Sequence, residues 1–104
     1  MVNDILRAAG VNFRRSRFLE PPAGVTYAIY MDDVTADGPD GFNRIFTHDI
    51  TVEVYEPAPD DKAEVAIEAA LNAAGVHWTK QDRYWIREEQ RYQVIYEFSY
   101  TTKT

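Results

Sequence analysis

Apolar and polar positions alternate strictly in two stretches of the chain. Ile50, Val52 and Val54 alternate with Asp49, Thr51, Glu53 and Tyr55. Tyr92, Val94, Tyr96, Phe98 and Tyr100 alternate with Arg91, Gln93, Ile95, Glu97 and Ser99. A period of two puts one set of side chains on a buried face, so both stretches are predicted strands. Residues 26–31 are β-branched, aromatic and apolar on both faces, as an inner strand would be. Residues 76–80 and 83–87 read as shorter strand pieces, the second paired loosely with the first or continuing it past a bulge. In Ala63, Ile67, Ala70, Leu71 and Ala74 the spacing changes to three and four. That spacing predicts a helix, with Asp60 or Asp61 as its N-terminal cap, Gly75 at its end, and Glu64 and Glu68 on its flank. A short first helix has Asn3 as its cap, Ile5, Leu6 and Ala9 on one face, and Gly10 as its stop.

Between these elements lie breakers. Residues 11–13 begin an extended segment. Residues 20–24 (Glu-Pro-Pro-Ala-Gly) form a connector, because proline cannot continue a helix or occupy a central sheet position. Asp37-Gly38-Pro39-Asp40-Gly41 is dense in turn residues, and residues 33–43 or so are expected to be an exposed loop. The polar tail, residues 101–104, is expected to fray. The order helix, strand, strand, helix and two or three further strands gives an α+β fold. We expect a single domain over residues 1–104, with a mostly antiparallel sheet of about four to five strands backed by two helices.

Composition narrows the function. The chain has 104 residues, which leaves room for one core only. Apolar residues make up 45%, too many for a disordered chain. There is no cysteine, which excludes disulfides, thiolate metal sites and a cysteine nucleophile. Eleven basic residues against 17 acidic ones give a net charge of −6, which argues against unspecific attraction to nucleic acid or anionic lipid. No apolar run approaches the roughly 20 residues of a membrane helix, and the first residues lack the pattern of a signal peptide, so a cytoplasmic origin is expected.

Reactive constellations are missing from the sequence. His48 and His77 fall on different predicted strands, without a second ligand at metal-binding spacing, so no metal is expected. Asp32, Asp33, Asp37 and Asp40 lack the alternate-ligand spacing of a calcium loop. No nucleophile elbow and no phosphate-cradling glycine motif occurs, so no catalytic residue and no cofactor is expected. What remains points to contacts. Arg14, Arg15 and Arg17 form the one basic cluster, suited to pairing with carboxylates within the chain or across a subunit boundary. The stripe Tyr92, Tyr96, Tyr100 suits a core or an interface equally. The candidate interface residues are Arg14, Arg15 and Arg17, then Asp37, Gly38, Asp40 and Phe42 in the loop, and the aromatics Tyr55, Trp85 and Tyr92.

A set of motifs in consistent order runs from Pro21-Pro22 through Thr26-Tyr27-Ala28-Ile29-Tyr30, Ala36-Asp37 and Asp49-Ile50-Thr51-Val52-Glu53-Val54-Tyr55. It continues through Glu64, Ile67-Glu68, Leu71, Gly75-Val76-His77-Trp78, Tyr84-Trp85-Ile86 and Tyr92-Gln93-Val94-Ile95-Tyr96-Glu97-Phe98. This series resembles the small tail-terminator and tail-to-head joining (tail completion) proteins of long flexible-tailed phages and prophages. The proline-rich turn Glu56-Pro57-Ala58-Pro59 departs from that pattern, as does the Gly-Pro-Asp-Gly of the central loop. The resemblance implies a structural virion component that forms a hexameric ring, caps the tail tube and joins it to the head connector. Implied partners are further copies of the chain, the major tail tube protein and a head-completion protein, with no membrane and no sequence-specific nucleic acid. Alternatives are another phage morphogenesis subunit, such as a head-completion or tube protein, or a small ligand-binding α+β domain.

Overall fold

A computed structural model describes residues 1–38 and 45–103. The elements are α1 (Val2–Ala9), β1 (Asn12–Arg15), β2 (Tyr27–Asp37), β3 (Ile45–Glu56), α2 (Asp61–Ala73), β4 (Trp78–Lys80), β5 (Tyr84–Ile86) and β6 (Arg91–Lys103). Six strands form one sheet in the order β1-β2-β3-β6-β4, with β5 also paired to β6. The fold is the expected α+β arrangement, with more strands than expected. The added one is β1, which runs parallel to β2, whereas every other pairing is antiparallel.

The alternation in the sequence sets which face is covered. Ala28 and Tyr30 of β2, Ile50, Val52 and Val54 of β3, and Val94, Tyr96 and Phe98 of β6 are buried in one cluster with Val2, Ile5 and Leu6 of α1 and Ile67 and Leu71 of α2. This is the inner face of the sheet. Burying each such aliphatic or aromatic side chain contributes roughly 1.5–3 kcal/mol relative to exposure. That packing is what holds an eight-residue helix such as α1, well below the length at which a helix persists alone.

The caps differ partly from expectation. Asp60 caps α2, its side chain accepting from Ala63 N at 3.0 Å, and Gly75 follows the helix at φ 74°. Gly10 ends α1 in the left-handed region, as expected. Asn3, however, lies inside α1 and is not its cap; Met1 holds that position without a side-chain bond. The Asn3 amide oxygen accepts from Tyr30 Oη at 2.8 Å instead, tying α1 to β2.

Two stretches read as irregular are strand. Asp33 to Asp37 pair with Asp49 to Ile45, and Thr101 to Lys103 pair with Thr47 to Ile45. Polar sequence there masked strong strand formers: threonine is β-branched, and each of these strands has a long partner. The result is a three-stranded arm of β2, β3 and β6 beyond the helices. None of residues 33–37, 45–49 and 99–103 is buried, and the molecule measures 48 × 27 × 22 Å.

β4 and β5 together make one interrupted edge strand. Lys80 pairs with Tyr96 and Tyr84 with Gln93, so Gln81, Asp82 and Arg83 on the edge face only Val94 and Ile95 on β6. The extra residue is a β-bulge, which shifts the alternation by one. Gln81 still pairs, its N–H donating to Ile95 O at 2.9 Å, and its side chain meets Glu97 on the outer face. The bulge therefore turns Arg83, and not Asp82, to the inner face.

Among the described residues the outer face carries no helix. At one end, residues 16–25 cross over it. Phe18 meets Tyr27 edge-on at 5.1 Å, and Tyr27 stacks on Tyr55 at 5.1 Å. The Arg91 guanidinium lies 4.9 Å over the Tyr27 ring and donates to Pro22 O (2.6 Å) and Val25 O (2.8 Å). Arg91 thus fastens a connector whose prolines cannot join the sheet as donors.

Candidate functional site: charged clusters and interface residues

The bulge places Arg83 among carboxylates. Glu56, the last residue of β3, is wholly buried. Its Oε1 accepts from Arg83 Nε at 3.2 Å and from Asp60 N at 3.3 Å. Arg83 Nη2 also donates to Glu64 Oε2 (2.6 Å) and Asp61 Oδ1 (2.7 Å). Lys80 Nζ lies 2.8 Å from both Glu64 Oε1 and Glu68 Oε2, and Tyr96 Oη donates to Glu68 Oε2 at 2.7 Å. Glu64 is buried, contrary to its expected place on the helix flank, because these two cations come down onto it from the bulged edge.

This cluster has more carboxylates than cations, so it retains a proton. Burial, and then the hydrogen bond with Glu64 and its charge, push the Glu56 carboxyl up to about 7. Burial raises Glu64 too, but its bonds with Glu56, Lys80 and Arg83 outweigh that and hold it below its ordinary value. Glu56 therefore carries the shared proton and Glu64 the charge. Glu56 Oε2 is buried without a hydrogen-bond partner among the described residues. Burial and the bond to Glu68 likewise raise the Tyr96 phenol, keeping it a donor.

A second polar cluster lies at the base of the arm. His48 Nδ1 is 3.0 Å from Asp32 Oδ1, and His48 Nε2 is 3.1 Å from Thr102 Oγ1. The imidazole stacks on Tyr100 at 4.5 Å with the planes 1° apart. One side chain on β3 thus bridges β2 and β6. A hydroxyl, imidazole and carboxylate in line resemble a nucleophile and its base, but catalysis needs a pocket around the hydroxyl. Four of the concavities among the described residues, of about 140 to 460 Å³, have none of Thr102, His48, Glu56 and Glu64 in their walls. Both clusters tie one element to another. Among the described residues no three His, Asp or Glu side chains are arranged to hold a metal ion, and no helix is long and apolar enough to cross a membrane.

The candidate interface residues fall in separate places. Arg14 lies on the outer face, its guanidinium 5.1 Å over the Phe18 ring, whereas Arg15, paired with Tyr30, lies on the inner face. Arg17 follows the turn at Ser16 (φ 69°) and shares a 140 Å³ depression with Tyr55 and Glu89. Among the described residues none of these arginines forms an ion pair. Tyr55 is buried, its hydroxyl donating to Glu53 Oε1 at 2.7 Å and accepting from Gln93 at 3.1 Å. Trp85 and Tyr92 meet at 4.8 Å on the opposite side of the sheet, and Trp85 keeps 42% of its surface exposed. Asp37 and Gly38 sit at the far end of the arm, where Gly38 N donates to Asp37 Oδ1 at 2.9 Å. Asp40 and Phe42 lie outside the described residues. Of the tyrosine stripe, Tyr96 is core, while Tyr92 and Tyr100 are half-buried.

Sequence reasoning missed both clusters. Their members are far apart in sequence, and only the bulge and the strand register bring them together. The sole local signal was the run of carboxylates Asp60, Asp61, Glu64 and Glu68 on a helix with cations expected downstream.

No protein-family model matches the chain, and no curated protein matches it. Among solved structures 27 chains match. One is a chain of the virion of a native gene transfer agent particle, with a TM-score of 0.66 and 14% sequence identity, covering 96% of this chain and 84% of that one. At that identity the likeness establishes a shared fold over nearly the whole chain.

Proposed function

We propose that this protein is a structural, non-enzymatic component of a phage-like virion. In this reading it forms a homo-oligomeric ring, a hexamer, that caps the tail tube and joins it to the head connector at the tail–head junction. The observation that carries the reading is the fold shared with a gene transfer agent virion chain over 96% of the length. The ordered motifs from Pro21 to Phe98 support the finer assignment, as does the character of the polar clusters, which tie strands to α2 and to one another. A ring of identical subunits needs two different patches on each copy, and the sheet offers two unlike ends, one with Arg14, the other with Trp85 packed on Tyr92. Its partners would be further copies, the major tail tube protein and a head-completion protein.

Removing the gene from a particle-producing strain tests this. The expected outcome is headless or overlong tails, restored by supplying the protein, with a ring visible at the tail–head junction in images of the complemented particle. Particles with normal heads joined to normal tails would overturn the reading. Density for the chain in the tube or the head shell would instead identify another morphogenesis subunit.

A further inference from the structure

Of the sheet's four exposed borders among the described residues, two are protected and two are not. β1 is only four residues long and is followed by the Pro-Pro connector. The β4–β5 edge is short and bulged. Both are devices that discourage a further strand from adding. The arm has neither. β2 pairs with β1 only through Tyr30, so residues 32–37 have a strand on one side alone. β6 pairs with β4 and β5 only through Phe98, so residues 99–103 are likewise open on one side. Among the described residues no other backbone hydrogen bond reaches either stretch. Neither contains proline, and Val34 on the β2 edge is 46% exposed.

The two free edges are unlike in charge. The β2 edge has Asp32, Asp33 and Asp37 and no cation; the β6 edge has Lys103 and no acid. Two β2 edges meeting would bring carboxylates together, which is unfavourable across strands, whereas a β2 edge and a β6 edge are complementary. Direction agrees with this. β2 and β6 are both antiparallel to β3, so both run outward along the arm. Copies set side by side by rotation would therefore bring β6 of one against β2 of the next in parallel. That contact is heterologous and repeats until a ring closes.

We propose that neighbouring copies of this chain join through their arms, residues 99–103 of β6 pairing in parallel with residues 32–37 of β2 in the next copy. This rests on the ring reading above and adds the surface through which the ring is built.

The chain has no cysteine, so single cysteines report contacts cleanly. Thr35→Cys and Thr101→Cys both change exposed outer-face positions. Mixed and mildly oxidised at high protein concentration, the two variants should form a disulfide-linked heterodimer. Ser99→Cys and Lys103→Cys in place of Thr101→Cys scan the register. Neither β2 nor β6 variant should link to itself, and Thr47→Cys on the central strand should not link to Thr101→Cys. Self-linking of Thr35→Cys, or no mixed disulfide at any of the three β6 positions, overturns the proposal. Native mass spectrometry of the unmodified chain separates the two failures. A closed oligomer without mixed disulfides leaves the ring standing and removes the arm contact, whereas a chain that neither links nor associates counts against both.

Discussion

Arg83 Nε donates to Oε1 of the wholly buried Glu56 at 3.2 Å, and the same guanidinium reaches Glu64 on α2 at 2.6 Å. One side chain from an edge strand thereby joins the end of β3 to the start of the second helix. Removing one partner of such a pair leaves buried carboxylates uncompensated. Arg83→Ala should lower stability by roughly 3 kcal/mol, the low end for buried pairs because the guanidinium is partly in water. Urea unfolding followed by tryptophan fluorescence measures this, and a loss within experimental error would show that the cluster contributes nothing net.

The proton on Glu56 makes stability depend on pH. Its carboxyl is raised from an ordinary 4.5 to about 7, so between those values the folded chain holds a proton that the unfolded chain releases. The resulting stability is fully present below the ordinary value and is lost as pH rises through about 7. Glu64, lowered, acts oppositely, and its contribution disappears only as pH falls below the ordinary carboxylate range. Melting should therefore occur at a higher temperature near pH 5.5 than near pH 8. Glu56→Gln keeps a donor toward Glu64 and should flatten that difference.

Asp82 is the residue that the bulge leaves over. Deleting it would restore regular alternation, with Lys80, Arg83 and Trp85 still on the inner face. The deletion should fold, with a smaller drop in melting temperature than Arg83→Ala. Thermal melts of the two variants side by side check this.

Leu71 is 1% exposed and packs within the single core cluster. Leu71→Ala should cost roughly 2–5 kcal/mol in urea unfolding, the range set by how far the cavity collapses. Val65→Ala on the same helix, 65% exposed, should change stability by about 0.5 kcal/mol or less.

The core was legible because it is periodic. Ile50, Val52 and Val54 and the stripe from Val94 to Phe98 announce their buried face through a spacing of two, and Ile67 and Leu71 through a spacing of four. Glycine and aspartate marked the ends of the helices for local steric and hydrogen-bonding reasons. The burial of Glu64 was not legible, because it depends on Lys80 and Arg83 arriving from another strand. The strand character of Asp33 to Asp37 and Thr101 to Lys103 was hidden similarly. Polar residues lie along an uncovered arm, and only pairing with distant partners makes them regular. Arg14, Arg15 and Arg17 are adjacent in sequence, yet strand alternation parts the first two between opposite faces.

The helices stop where the arm begins, and that boundary divides the molecule energetically. Backbone amides around Val54, Val94 and Tyr96 sit in the cluster formed with both helices and should exchange with solvent only when the whole domain opens. Among the described residues, amides beyond Asp33 and Ser99 are held by ladder bonds, the His48 bridge, the Ser99–Asp49 bond and the stacking of Tyr100, with no helix over them, so they are expected to open locally at lower cost. The chain thus combines a densely packed head with a less constrained blade, and a change of twist in the blade would leave the packing of the head undisturbed.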